Sequence, residues 1–371
     1  MKKGVKIAAI LVGAVAVAVI VLFAVSPLAT SKKAEAKLSE FLAEGGIPED
    51  SWSIDRAYYI PLLNHLVVEK IEISENGDTF LEAEKAILNL DTSRENILAG
   101  SIEARGISFW ADNSEITAKS LSVNDFSIDR ALFENSPDEA IEKLGNIRLS
   151  GMVFRQGGRT YFSLGKFIAD IDYTKGKITR STSVSFKDLA LDLRPFTDLP
   201  KLRPEYRFSD ITLKNSLSNG ISMVNFTIDG TNLFTLKTDI GISLPSEIIS
   251  GNITNFDLAD FYEDMMMDSF SLTYTDKSLL DHLFELAELP GDRASIAEQL
   301  SETYLELAIM TGIDGERFVN EVSQFIIKPE KFTLKANLDA PISYEEIIDN
   351  PFALNLSLSI NGGKPFTTGG L

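Results

Sequence analysis

Two histidines, three consecutive methionines and several adjacent acids are the residues of this 371-residue chain whose types could do chemistry. His65 and His282 stand far apart, and neither has a partner at metal-ligand or triad spacing, so each is expected to be structural. Met265, Met266 and Met267 offer soft thioethers that suit Cu(I). On the helix expected over 258–267, however, consecutive side chains point in different directions and cannot converge on one ion. They are read as flexible apolar filling. Glu263-Asp264 and Glu345-Glu346 would serve glycosidase chemistry only if their context singled out one pair, and nothing does. The stretch 311–316 (TGIDGE) lacks the alternating oxygen ligands of a calcium loop and reads as a turn. The nucleophile elbow, P-loop, dinucleotide fingerprint and zinc-protease helix are missing from the sequence, and so is cysteine. The expectation is therefore a non-enzyme with no catalytic, cofactor-binding or metal-ligating residue. A hydrolase built on scattered carboxylates is the third choice.

Charge narrows the partners. The formal net charge is −19, and residues 1–33 hold five lysines and no acid, so the remainder carries −24. A surface that acidic repels phosphate backbones, which excludes nucleic acid as a natural partner. It also disfavours flat binding to anionic headgroups, so contact with lipid has to run through apolar surface.

The element that places the chain is 7–25 (IAAILVGAVAVAVIVLFAV), uncharged and closed by Ser26-Pro27. As a helix it spans roughly 28 Å, close to the hydrocarbon thickness of a bilayer. Lys2, Lys3 and Lys6 precede it and favour a cytoplasmic start. The reading is a cytoplasmic 1–6, an uncleaved single-pass signal anchor over 7–28, and the bulk of the chain in the periplasm of a bacterial inner-membrane protein. A cleaved signal peptide with Ala34-Glu35-Ala36 as its processing site is the alternative.

Beyond the anchor, 33–45 reads as a short amphipathic connector helix ended by Gly45-Gly46. From 50 to 256 the texture is β: two short alternating arms joined by one or two polar or small residues, recurring about every 20–25 residues. Instances are 66–73 (LVVEKIEI), 80–90 (FLEAEKAILNL), 102–109 (IEARGISF), 116–128, 147–154, 161–171, 184–193 and 206–213. Joints such as Gly106, Asp125 and Asp188 are expected to bend the strands, and Asn76-Gly77 to close a hairpin. A helix is expected over 136–144, and strands over 221–228, 233–244 and 248–256. The region 257–371 reads as a mixed helix/strand cap. It has helices at 258–267, 278–289, 293–311, 317–325 and 344–349, strands at 270–274, 331–338 and 352–360, and a frayed tail from 362. The fold class is mainly β with some α: an N-terminal transmembrane helix, then a long, twisted antiparallel sheet, as groove or sandwich, with a C-terminal helical cap.

The phrase LEAEKAILNLD…ILAGSIEARGISF, in which Ala83, Ile87 and Leu90 run through Ile97-Leu98-Ala99-Gly100 into the next strand, resembles the AsmA-like class of inner-membrane-anchored periplasmic proteins. It is similar also to the related YdgA-type envelope proteins. The resemblance covers about residues 1–130, and the helical C-terminal part departs from it. It implies a groove-shaped sheet whose concave face holds acyl chains, with a role in envelope lipid transport or homeostasis. The inward positions expected to line that groove are Val68, Ile71, Ile73, Leu81, Ile87, Leu90, Ile107 and Phe109. The alternative is a closed β-sandwich that binds an envelope protein partner, because alternation reports burial and not what does the burying.

Overall fold

The computed structural model describes residues 51–60, 65–75, 78–91, 97–111, 113–129, 140–175, 177, 179–196, 201–245, 265–288, 292–310 and 315–367. The anchor, the connector helix, the Asn76-Gly77 turn and the strand expected over 248–256 lie outside them. Among the described residues no helix is long and apolar enough to cross a membrane. The chain divides into two compact units, one up to Lys175 and one from Gly176.

The first unit is an antiparallel meander of seven strands in sequence order: β1 (Trp52–Ile60), β2 (His65–Glu75), β3 (Asp78–Asp91), β4 (Ile97–Ala111), β5 (Ser114–Asp129), β6 (Ile141–Gln156) and β7 (Arg159–Thr174). The two-arm phrase has a consequence in three dimensions. Along a strand, side chains alternate faces with a period of two, but on one face of β2 the buried residues are Leu66 and Val68, then Ile71 and Ile73, with Val67 buried on the other. The two joint residues shift the phase by one, and both arms of the phrase thereby bury on the same side. The same step separates Leu81 and Ala83 from Ala86 and Leu88 in β3.

The ladder shows how the joint is made. Glu69 opposes Lys85 and Ile71 opposes Ala83, with Lys70 and Glu84 skipped between them; the next pair of strands skips Glu84 and Gly106, and the next Gly106 and Lys119. Register is the same on both sides, so the strands bend without slipping. Lys70 in β2, Gly106 in β4 and Gly151 in β6 take left-handed φ of 52°, 60° and 60°. The Glu84 side chain lies over Gly106 and that of Lys119 over Gly151, in the space a Cβ would fill. Asp125 in β5 and Asp188 also take left-handed φ, 57° and 54°, as expected of joints occupied by a residue type that tolerates this region. A true bulge occurs where the register slips between Ile73 and Ser74 and leaves Phe80 unpaired. Its ring meets Phe109 edge to face, centroids 6.2 Å apart.

The second unit runs β8 (Ser181–Leu191), β9 (Tyr206–Ser218), β10 (Ile221–Gly230), β11 (Phe234–Ser243), β12 (Met266–Asp276), β13 (Lys331–Ala336), β15 (Leu356–Ile360) and β16 (Phe366–Thr367), each paired with the next, while β14 (Ile342–Ser343) pairs with β12. Between β12 and β13 come helices α1 (Leu279–Leu286), α2 (Arg293–Met310) and α3 (Gly315–Ile327); α4 (Tyr344–Asp349) follows β14. Ser343 caps α4, its hydroxyl accepting from the Glu346 amide at 3.1 Å. Ile296 and Ala297 of α2 and Ile326 of α3 form a small core with Phe284 and Val322. Arg293 ties the helices together, donating to the Ile326 carbonyl at 2.8 Å and pairing with Asp281. On the sheet, Phe325 of α3 sits edge-on to Tyr274 and Phe332, which stack on each other with centroids 5.2 Å apart. Burial pushes the Tyr274 hydroxyl well above its ordinary range, assisted by its 2.6 Å hydrogen bond to Asp276.

Three expectations are corrected. Ile141–Leu144, the end of the helix expected over 136–144, belongs to β6: Lys143 pairs with Thr174 and Leu144 with Tyr173. The long-range ladder outweighs a local helical pattern there. Met266 and Met267 begin β12 instead of ending a helix, and they pair with Ser343 and Ile342. Consecutive strand residues face opposite sides, so the methionines still cannot converge. Phe366–Thr367, within the expected frayed tail, pairs with β15, and Phe366 packs edge-on against Phe318 of α3.

Candidate functional site

The site is built from lateral rows on one face of the first sheet. Because paired residues share a face, register converts the two-arm phrase into rows that run across the strands. One row is Ala57, Val68, Ala86, Ala104, Leu121, Leu149 and Phe167, from β1 to β7. A second is Leu66, Leu88, Ile102, Val123, Ile147 and Ala169. On the far side of the joint a third row runs Trp52, Ile73, Leu81, Phe109, Ile116, Phe154 and Phe162. Together they make a continuous apolar face.

Burial along a row is uneven, and that unevenness bears on function. In the first row Ala57, Val68, Ala86 and Ala104 are 1%, 0%, 5% and 7% exposed, whereas Leu121, Leu149 and Phe167 are half-buried. In the third row Ile73 and Leu81 are buried, and Phe109, Ile116, Phe154 and Phe162 are half-buried. Along the first row the face is closed over β1–β4 and incompletely covered over β5–β7; the third row is already half-buried at Trp52 and Phe109, and Ala118, Leu164 and Ala169 of β5 and β7 are buried.

The residues expected to line a groove distribute accordingly. Val68, Ile71, Ile73 and Leu81 belong to one buried cluster, with Ile107 and Phe109 packed against it. Ile87 does not join them. It pairs with Val67 and Glu103 in a row on the opposite face, because the Glu84-Lys85 joint changes the phase between Leu81 and Ile87. Leu90 opposes Gly100 in the ladder; its side chain lies outside those described. Leu149, Phe154 and Phe162, half-buried like Ile107 and Phe109, were not among the expected positions, although 147–154 and 161–171 carry the same phrase.

Among the described residues no group of three or more acids, histidines or cysteines could hold a metal ion. His65 opens β2. His282 of α1 is 2% exposed, and its Nε2 lies 2.6 Å from the Tyr206 hydroxyl of β9. Its Nδ1 is buried without a hydrogen-bond partner among the described residues, 4.0 Å from the Glu285 carboxylate. Burial pushes the imidazole below its ordinary pKa, Arg203 adds to this, and Glu285 opposes it. A depressed histidine is neutral in both states above its ordinary pKa near 6.5. As pH falls through that value the unfolded chain takes up the proton first, so stability is lost from there downward. Thermal unfolding from pH 7.5 to 5 is expected to show this loss in the native protein, and His282→Gln, which still offers Tyr206 an acceptor, to flatten it. An identical slope in both proteins would assign the acid sensitivity elsewhere.

No family model matches the chain, and no curated protein is similar to it. The functional reading therefore rests on the apolar face itself.

Proposed function

We propose that this chain is a non-enzymatic, membrane-anchored protein of the bacterial envelope that binds lipid acyl chains along the apolar face of its first sheet, in lipid transport or homeostasis. The observation that carries the reading is the set of lateral rows that leave the closed cluster and continue over β5–β7 as half-buried Leu149, Phe154 and Phe162. An acyl chain laid on these positions completes their burial, at about 0.8 kcal/mol per methylene. The mechanism needs no polar catalytic group. Support comes also from the uncharged stretch 7–25, which suits a bilayer anchor, and from the AsmA-like phrases. The contact residues of this proposal lie on β5–β7, in rows continuous with Val68, Ile73, Leu81 and Phe109 of β2–β4. In-cell photo-crosslinking tests the reading: a photoreactive phenylalanine at position 149 or 162 is expected to capture phospholipid, and a lack of any lipid adduct at both would overturn it.

A second reading, an envelope interaction protein, is favoured by one observation. Leu283 of α1 and Leu300 and Leu305 of α2 stay 44%, 36% and 40% exposed, an apolar surface that suits a protein partner.

A further inference from the structure

The opposite face of the first sheet carries a depression of about 290 Å³. Register explains its floor. His65, Asn89, Ser101 and Asn124 form one lateral row across β2–β5, and Ile87, Glu103 and Ser122 form the next. Neighbouring strands lie about 4.8 Å apart, so each row presents polar groups at a pitch that a ring-sized ligand can bridge. These residues alternate with the apolar rows, so the folding of the buried face fixes their positions.

The chemistry of the floor is specific. Asn89, Asn124 and the serine hydroxyls each both donate and accept. Among the described residues no hydrogen bond engages the side chains of His65, Asn89, Ser101, Ser122 or Asn124. Ser120, at the rim, already bonds Ser150 at 2.7 Å. Glu103 is the one charged group of the lining, and it is held by Arg105 at 2.6 Å. An anion would meet that carboxylate with no facing cation in the lining. A cation would find a single carboxylate already paired. Ile87, beside the buried Val67, and Ile102 give the lining a small apolar patch. Neutral donors and acceptors around a small apolar patch suit a ligand with hydroxyls on its edge and C–H groups on its face.

We infer that this depression is a binding site for a neutral saccharide, separate from the acyl-chain face and independent of it. The lining contains no Phe, Tyr or Trp ring, so affinity falls in the millimolar range, about −4 kcal/mol. Saturation-transfer difference NMR reads binding of that strength. The intact chain is held in lauryldimethylamine oxide, a detergent without a sugar headgroup, and offered maltose, cellobiose and N,N′-diacetylchitobiose, each at about 5 mM. Saturation transfer to at least one of the three is expected. Ser122→Ala is expected to reduce it and Asn89→Leu with Asn124→Leu to reduce it about fivefold or more. Arg148→Ala, in the same row as Ser122 but outside the depression, should leave it unchanged. Transfer to none of the sugars, or equal transfer in the native protein, Ser122→Ala and the double variant, would overturn the assignment.

Discussion

Gly106→Val is expected to destabilise the first unit by about 3 kcal/mol. The residue sits at φ +60°, where a β-branched side chain is strained, and a Cβ there would lie 2.3 Å from the Glu84 side chain. The cost arises at a joint that lets both arms of β4 bury Ile102 and Ala104 on one side and Ile107 and Phe109 against the same cluster. Gly157→Val is the matched control: its φ is +57°, yet nothing lies within 4 Å of the added Cβ. It should cost about 1 kcal/mol, the backbone penalty alone. Urea unfolding of both variants separates the two contributions. Equal losses would mean that the close approach of Glu84 to Gly106 has no energetic weight. Lys70→Gly provides the converse, since it relieves a left-handed φ of 52° at the equivalent joint of β2, and it should leave stability unchanged or slightly raised.

Val68→Asp is expected to have the largest effect of any single change, a loss of about 4 kcal/mol or more. Val68 is fully buried in its lateral row between Ala57 and Ala86, and a carboxylate there would be desolvated among apolar groups. Leu149→Asp lies in the same row four strands away, at a half-buried position. It should cost less, about 1–2 kcal/mol, because the position is only half-buried and the new carboxylate is less fully desolvated. The ratio of the two losses, measured by thermal or urea unfolding, reports directly on how far the cover extends. Equal losses would mean that the row is uniformly closed or uniformly open, and the distinction between β1–β4 and β5–β7 would fail.

Much of the architecture was legible in the sequence because the two-arm phrase has a single physical meaning. Alternation gives the strands, and Gly106, Asp125 and Asp188 mark joints that the structure places in left-handed φ. The phase change across the joint was legible in β2, where the expected set steps from Val68 to Ile71, and was missed in β3. Counting by twos from Leu81 leads to Ile87, whereas the Glu84-Lys85 step moves the buried set to Ala86 and Leu88. Small residues such as Ala57 and Ala86 were overlooked as well: their burial follows from position in the row and not from size. The helix expected over 136–144 failed where Leu144 meets Tyr173 across β6 and β7, a contact whose partners lie 29 residues apart and which no local window contains. The polar depression depends on His65 standing beside Asn89 and Ser101 beside Asn124, pairings that arise only once the register is set.

In-cell photo-crosslinking with a photoreactive phenylalanine placed either at position 149 or at position 68 tests the central claim most directly. The two positions share one lateral row and differ in cover. The account predicts a phospholipid adduct at 149, in the open stretch, and none at 68, where the row is closed. Protein adducts alone at 149, with no lipid, would contradict it and point to a partner protein on this face.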